Sequence, residues 1–401
     1  MAALLYGVVL LFTLSAATVY AQSDDSKTVH CHALPIDNYT CAHCIQLDPA
    51  CAWCSSKDYD LNNQRSRCDT WQRLKDNNCG EIAFPQSKIE ALRDEPLTSR
   101  PIDAGEAVQL KPQEIHIYAR PKDKQTFQIR FKQAYDYPVD LYYLMDLSRS
   151  MLDDKERLAA LGDLLAERMR TITRNFRLGF GSFVDKKVVP WVDSRPEKAD
   201  RPCAACVPPY GFQNHMSLTT DTHQFSSQVN AANISGNQDA PEGGFDAVMQ
   251  TLACEDAIGW RQKSRKMIVV STDAGFHYAG DGRLAGIVIP NDGECHIDNR
   301  GFYTMSTEQD YPSVAQLHQK IREKKANLIF AVTGDQVPLY THLQSALPDV
   351  SASVGELAQD SSNVVDLIES SYNKISEKII MVDNVNATDG IKISYQALCV
   401  G

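Results

Sequence analysis

The sequence lacks several things, and each absence removes a class of function. Beyond residue 21 no apolar run reaches the ~18 residues needed to cross a bilayer. Basic side chains are outnumbered, 40 against 51 acidic, for a net charge of −11, so there is no electrostatic footprint for nucleic acid or for an anionic membrane surface. No glycine-rich phosphate loop follows a predicted strand; Gly179-Phe180-Gly181 lies inside one and has no third glycine. No Ser, His and Asp arrangement sits in a nucleophile elbow either, and both absences weigh against the enzymatic alternative, a Mg²⁺-dependent phosphohydrolase. The chain is not deficient in apolar residues: at 43% it has the content of a folded protein, and 401 residues at roughly 150 per domain allow two or three cores.

What is present begins with a compartment. Leu4 to Ala21 form a short apolar stretch closing in small residues and followed by the polar run Gln22 to Lys27, as in a secretory signal cleaved after Ala21. The expected location is extracellular. Seven of the twelve cysteines, Cys31, Cys41, Cys44, Cys51, Cys54, Cys68 and Cys79, crowd one short segment, which reads as a disulfide-stapled module. The pairs Cys41/Cys44 and Cys51/Cys54 have zinc-ribbon spacing, but an oxidising compartment argues for disulfides. Seven is odd, so one of these cysteines pairs elsewhere or stays free.

From Glu81 to Pro138 short alternating stretches, Glu114 to Tyr118 and Thr126 to Phe131, predict strands of a β-sandwich. After Pro138 the rhythm changes to buried strands alternating with helices. Val139 to Met145 precedes a helix over Asp153 to Ile172, and Arg177 to Val184 precedes one over Phe245 to Ile258. Met267 to Ser271 precedes Ser313 to Lys325, and Leu328 to Val332 precedes Ser362 to Lys378. The pattern predicts a mostly parallel sheet covered on both faces, with ligands bound at the carboxyl ends of its strands.

Three strands end in acid. The first runs into Asp146-Leu147-Ser148-Arg149-Ser150, the second into Asp185, the third into Asp273. One carboxylate and two hydroxyls at alternate positions suit Mg²⁺, which takes hard oxygen ligands and keeps exchangeable waters. Asp153 and Asp154 follow, either as acids favoured at a helix N-terminus or as ligands of a second ion. Asn237 to Gly244 (NQDAPEGG) is a loop bearing the oxygen donors Asn237, Asp239 and Glu242 among others, and reads equally as a capped turn or as a metal loop.

The strings DLYYLMDLSRSM (Asp140 to Met151), NQDAPEGGFDAVMQ (Asn237 to Gln250), DGRLAGIVIPNDGECH (Asp281 to His296), NLIFAVT (Asn327 to Thr333) and DSSNVVDLI (Asp360 to Ile368) closely resemble the integrin β subunit. The resemblance implies a multidomain fold. A signal peptide (1–21) and a PSI module (28–80) precede the first half of a hybrid β-sandwich (81–138), a central doubly wound α/β domain of von Willebrand A type (139–380), and the start of the hybrid return half (381–401). It implies an adhesion site for Mg²⁺ or Mn²⁺ at Asp146, Ser148, Ser150 and Glu242, with Asp273 nearby. One flanking Ca²⁺ site would use Asp153, Asp154 and the carbonyls of Ser150 and Gln359. The other would use Asp185, Asn237, Asp239, the Pro241 carbonyl and Glu242.

The implied partners are an integrin α subunit, contacted by Arg283, and matrix or cell-surface ligands that present an acidic residue. The last helix is expected to shift and swing the hybrid domain, coupling it reciprocally to ligand binding. The resemblance also implies the disulfides Cys31 with Cys51, Cys44 with Cys68, Cys54 with Cys79, Cys203 with Cys206 and Cys254 with Cys295, leaving Cys41 and Cys399. The family sits in the plasma membrane as a type I protein. A chain of this length is expected to be secreted unless an α subunit holds it, and a soluble decoy using the same metal site is the alternative function. The loop Cys203 to Cys206 is shorter than in many relatives and leaves little surface for choosing a ligand; a redox-active CxxC is its other reading. Asn38, Asn233 and Asn386 begin glycosylation sequons.

Overall fold

The computed structural model describes residue 31 and residues 40–59, 66–99, 107–358, 361–377, 381, 383–386, 388 and 390–398. The expected leader at 1–21, Asn38, Gln359 and Cys399 lie outside the described residues. The chain divides into two compact units, residues 1–97 with 110–132, and residues 98–109 with 133–401.

In the first unit, helix α1 (Cys41–Leu47) starts at Thr40, whose hydroxyl accepts from the backbone N–H of His43, a cap that satisfies an otherwise unpaired donor. Strands β1 (Cys51–Cys54), β2 (Cys68–Thr70) and β3 (Ile82–Ala83) form a sheet in the order β2-β1-β3, with α2 (Trp71–Asp76) beside it. Disulfides Cys31–Cys51, Cys44–Cys68 and Cys54–Cys79 replace most of the core so small a module cannot build. Cys41 makes no disulfide among the described residues. Strands β4 (Lys88–Arg93), β5 (Leu110–Lys111), β6 (Glu114–Tyr118) and β7 (Arg130–Phe131) pair as β4-β6 and β5-β7. The alternating stretch from Thr126 is a strand only over its last two residues. Arg120, 7% exposed, fans its guanidinium over the carbonyls of Ile45, Asp48, Pro49, Cys51 and Pro85, fixing the end of the β6 segment to the cysteine-rich module.

The second unit holds a six-stranded sheet. Its strands are β8 (Val139–Asp146), β9 (Phe176–Phe183), β10 (Gln213–Thr219), β11 (Arg265–Thr272), β12 (Ala326–Val332) and β13 (Ala352–Glu356), in the order β10-β9-β8-β11-β12-β13. All neighbours are parallel except β10, which runs antiparallel at one edge. Side chains alternate across a strand, so Leu141, Tyr143 and Met145 enter one core and Tyr142 and Leu144 the other. The first core is closed by α3 (Leu152–Ile172), α5 (Gln224–Ala231) and α10 (Val364–Glu377), the second by α6 (Gly244–Ala253), α8 (Val314–Lys324) and α9 (Val337–Ser345). The short helices α4 (Pro196–Asp200) and α7 (Glu255–Ile258) complete the set. The predicted helix over Phe245 to Ile258 is therefore two, broken at Cys254, which bonds to Cys295. Among the described residues no helix is long and apolar enough to cross a membrane.

Candidate metal centre

The sheet delivers its acids to one edge because each buried strand runs out of apolar residues there. Asp146 ends β8, Asp185 lies two residues past β9, and Asp273 directly follows β11. Asp146 is fully buried: its Oδ1 accepts from the Ser148 N–H at 2.7 Å and its Oδ2 from the Thr272 hydroxyl at 2.7 Å. The Ser148 and Ser150 hydroxyls stand 3.2 Å apart, the first buried and the second exposed. Those bonds favour the ionised form of Asp146, but burial outweighs them and pushes its pKa up to about 7.

Glu242 is 4% exposed, and burial together with the charges of Asp146, Asp185, Asp239 and Asp273 holds it well above the usual carboxylate range. The Asn237 side-chain nitrogen sits 3.0 Å from Glu242 Oε2, 3.3 Å from Asp239 Oδ1, 3.4 Å from Asp185 Oδ2 and 3.5 Å from the Pro241 carbonyl. An amide has two N–H groups, so four oxygens converging on it exceed what it can satisfy. Three of those oxygens belong to carboxylates. The surplus of hard donors around one point fits a divalent cation, with Asn237 turning its oxygen inward.

The structure also brings in groups that no local spacing announced. His277, buried, places Nε2 2.9 Å from Asp239 Oδ2 and 3.5 Å from Asp185 Oδ2, and Nδ1 2.9 Å from Asp281 Oδ2. Burial works against its charge, yet the hydrogen bond to Asp239, the Asp185 charge and the bond to Asp281 outweigh it and raise its pKa. Asp185, Asp239 and His277 place three ligand atoms within 4.8 Å of one another. Burial pushes Asp185 up to about 7 against the pull of His277 and a hydrogen bond from the Tyr311 hydroxyl.

Beside the first site, Asp153 and Asp154 occupy the first turn of α3. Asp153 is exposed, whereas Asp154 is buried and accepts from the Ser361 hydroxyl. Burial raises Asp154, and the charges of Asp153 and Asp273 add to it, which places Asp273 in the field of this pair as well. Arg283 is exposed on the turn Asp281–Ala285, whose entry is pinned by Asp310 accepting from the N–H groups of Gly280 and Gly282. Around it Tyr278, Leu284, Val288 and Ile289 are each more than half exposed. Asn233 and Asn386 are exposed, and Cys203 is bonded to Cys206.

Residues 134–379 match the integrin beta chain VWA domain family, and residues 31–80 the integrin plexin domain. The chain is 57% identical over 375 residues to integrin beta pat-3 of Caenorhabditis elegans, covering 92% of this chain and 46% of that protein. It is 53% identical over 297 residues to integrin beta-PS of Drosophila melanogaster, 74% of this chain and 35% of that one. Integrin beta-1-A of Xenopus laevis is 42% identical over 400 residues, 97% of this chain and 50% of the relative. The chain thus spans about half the length of the curated relatives it matches or less. Most of its length falls to the first family, and it belongs to the integrin β subunits, a family of non-enzymatic adhesion receptor chains.

Proposed function

We propose that this chain forms the ligand-holding part of an adhesion receptor, pairing with an integrin α subunit and gripping an acidic residue of a matrix or cell-surface protein. Asp146, Ser148, Ser150 and Glu242 would hold Mg²⁺ or Mn²⁺, with Asp273 close behind. Asp153, Asp154, the Ser150 carbonyl and Gln359 would hold one Ca²⁺, and Asp185, Asn237, Asp239, the Pro241 carbonyl and Glu242 another. A Mg²⁺ there supplies positive charge and an exchangeable position for an incoming carboxylate oxygen. The chain's residues set the geometry: Thr272 and the Ser148 N–H orient the Asp146 carboxylate, and Asn237 gathers the second set of oxygens beside Glu242.

The observation that carries this reading is the burial of Asp146 and Glu242 near one end of the sheet, which raises both pKa values, with the Asp146 charge adding to the rise at Glu242, a cost the fold bears unless a cation offsets it. The exposed apolar side chains that flank Arg283 in the sequence, Tyr278, Leu284, Val288 and Ile289, support the α-subunit contact, since exposed apolar surface marks protein interfaces. The test is binding to an Arg-Gly-Asp surface after co-expression with candidate α chains. Binding should require Mg²⁺ or Mn²⁺ and vanish in Asp146→Ala with the fold intact; undiminished binding in EDTA would sink the proposal.

A further inference from the structure

The second unit also holds a cavity of about 520 Å³, lined by none of the clustered acids and open to solvent between β10, α5 and the segments around Pro209 and Phe302. Small organic ligands occupy cavities of about 300–1,000 Å³ that combine apolar walls with a few polar groups. Here the walls are Pro209, Tyr210 and Phe302, the two rings meeting edge to face with centroids 5.7 Å apart. Gln213 and Gln228 add N–H donors and carbonyl acceptors, and Arg300, whose guanidinium lies over the Phe302 ring at 5.6 Å and donates to Asp298, also lines the cavity. Aromatic faces with amide and guanidinium groups are the surroundings that bind pyranose sugars, which stack their C–H faces and exchange hydroxyl hydrogen bonds.

Asn233 lies on the rim of the same cavity, exposed, and begins the sequon Asn233-Ile234-Ser235. The backbone at this sequon is fixed. The Val207 N–H donates to the Ile234 carbonyl at 3.0 Å, and the Ser235 N–H to the Leu147 carbonyl at 2.8 Å. The Ser235 hydroxyl donates to the Val207 carbonyl at 2.7 Å. We propose that Asn233 carries an N-linked glycan whose first N-acetylglucosamine is seated in this cavity.

In the secretory pathway the Asn233 Nδ2 would form a bond to C1 of the sugar as the C1–oxygen bond to a lipid-diphosphate carrier breaks. The diphosphate leaves and the amide gives up one proton. Attachment then decides the occupant. A sugar tethered at the rim has a millimolar-scale effective concentration and pays little further association entropy, so weak stacking suffices where a free sugar would not bind.

The inference rests on the secretory reading and not on the metal site, so either can fail alone. The chain purified from cultured eukaryotic cells is analysed by glycopeptide mass spectrometry, then trimmed with an endoglycosidase that leaves one sugar. Hydrogen exchange is compared between this form and Asn233→Gln. Occupied Asn233, with amides of residues 207–213 exchanging about tenfold faster in the variant, is expected. A bare Asn233, or equal exchange, overturns it. Should the variant not fold, a crystal structure of the trimmed wild type decides: sugar inside the cavity supports the proposal, and sugar projecting into solvent ends it.

Discussion

His215 shows how one side chain outside the acidic cluster can set a pH limit. Its ring stacks on Phe180 with centroids 5.2 Å apart, and its Nε2 lies 2.6 Å from the Ser182 hydroxyl, which also pairs with the Tyr210 hydroxyl. Burial lowers its pKa from 6.5 to about 4. The unfolded chain therefore binds a proton between pH 6.5 and 4 that the folded chain refuses. Stability from this residue is complete above pH 6.5 and is lost as pH falls toward 4, by up to about 3 kcal/mol. His215→Gln keeps a hydrogen-bonding group but does not titrate, so denaturation curves of the two proteins should diverge in that window and run parallel above it. Parallel curves throughout would mean that His215 is charged in the fold. At this scale legibility followed distance along the chain. The Asp146 to Ser150 and Asn237 to Glu242 groups were readable because each set is contiguous. Thr272, Tyr311 and Ser361 reach their carboxylates across 126, 126 and 207 positions, and no local spacing announces such meetings.

Among elements, the buried parallel strands were readable because a strand covered on both faces is apolar throughout, whereas β10 was not. Its sequence, QNHMSLT, is mixed, it pairs on one side only, and its register slips twice against β9. The fifth and sixth strands from the start of this unit divided in the same way: β12 is apolar, while β13, at the other edge, is ASVGE. Gly179 and Gly181 of β9, which carry no phosphate-loop signature, have a packing role instead. A Cβ at Gly179 would stand 2.6 Å from the Tyr142 ring, and one at Gly181 would strike the Tyr142 hydroxyl and lie 2.9 Å from the Phe212 ring. Tyr142 is held in place by donating to Asn214 at 2.7 Å, so it cannot withdraw cheaply. Gly179→Ala and Gly181→Ala should each cost roughly 1–3 kcal/mol by overpacking, read as a lower denaturant midpoint. Gly236→Ala is the control: its nearest neighbour would be the Pro202 Cβ at 3.9 Å, and its midpoint should not move by the same mechanism.

For the molecule as a whole, composition located the cysteine-rich segment and the α/β region, but not where the chain changes unit. Residues 98–109 belong with the second unit, because Ser99 accepts from the Tyr135 N–H at 2.8 Å and the Gln109 side chain accepts from the Ala134 N–H at 3.0 Å. Such long-range pairing leaves no compositional trace. The division bears on how the molecule should respond to metal removal. The first unit is held by three disulfides, and the proposed ligands all lie in the second. A cation that binds only the folded second unit stabilises it by about 2.7 kcal/mol at a concentration a hundredfold above its dissociation constant. For a unit of this size that corresponds to roughly 5–10 °C in its midpoint. Calorimetry in EDTA against Mg²⁺ plus Ca²⁺ should therefore move one transition and leave the disulfide-held one in place. Glu242→Ala should remove more of the shift than Asp153→Ala, since Glu242 faces both Asp146 and the Asn237 group while Asp153 is exposed at the head of α3. Equal midpoints with and without divalent cations would show that the buried carboxylates are held protonated rather than by metal.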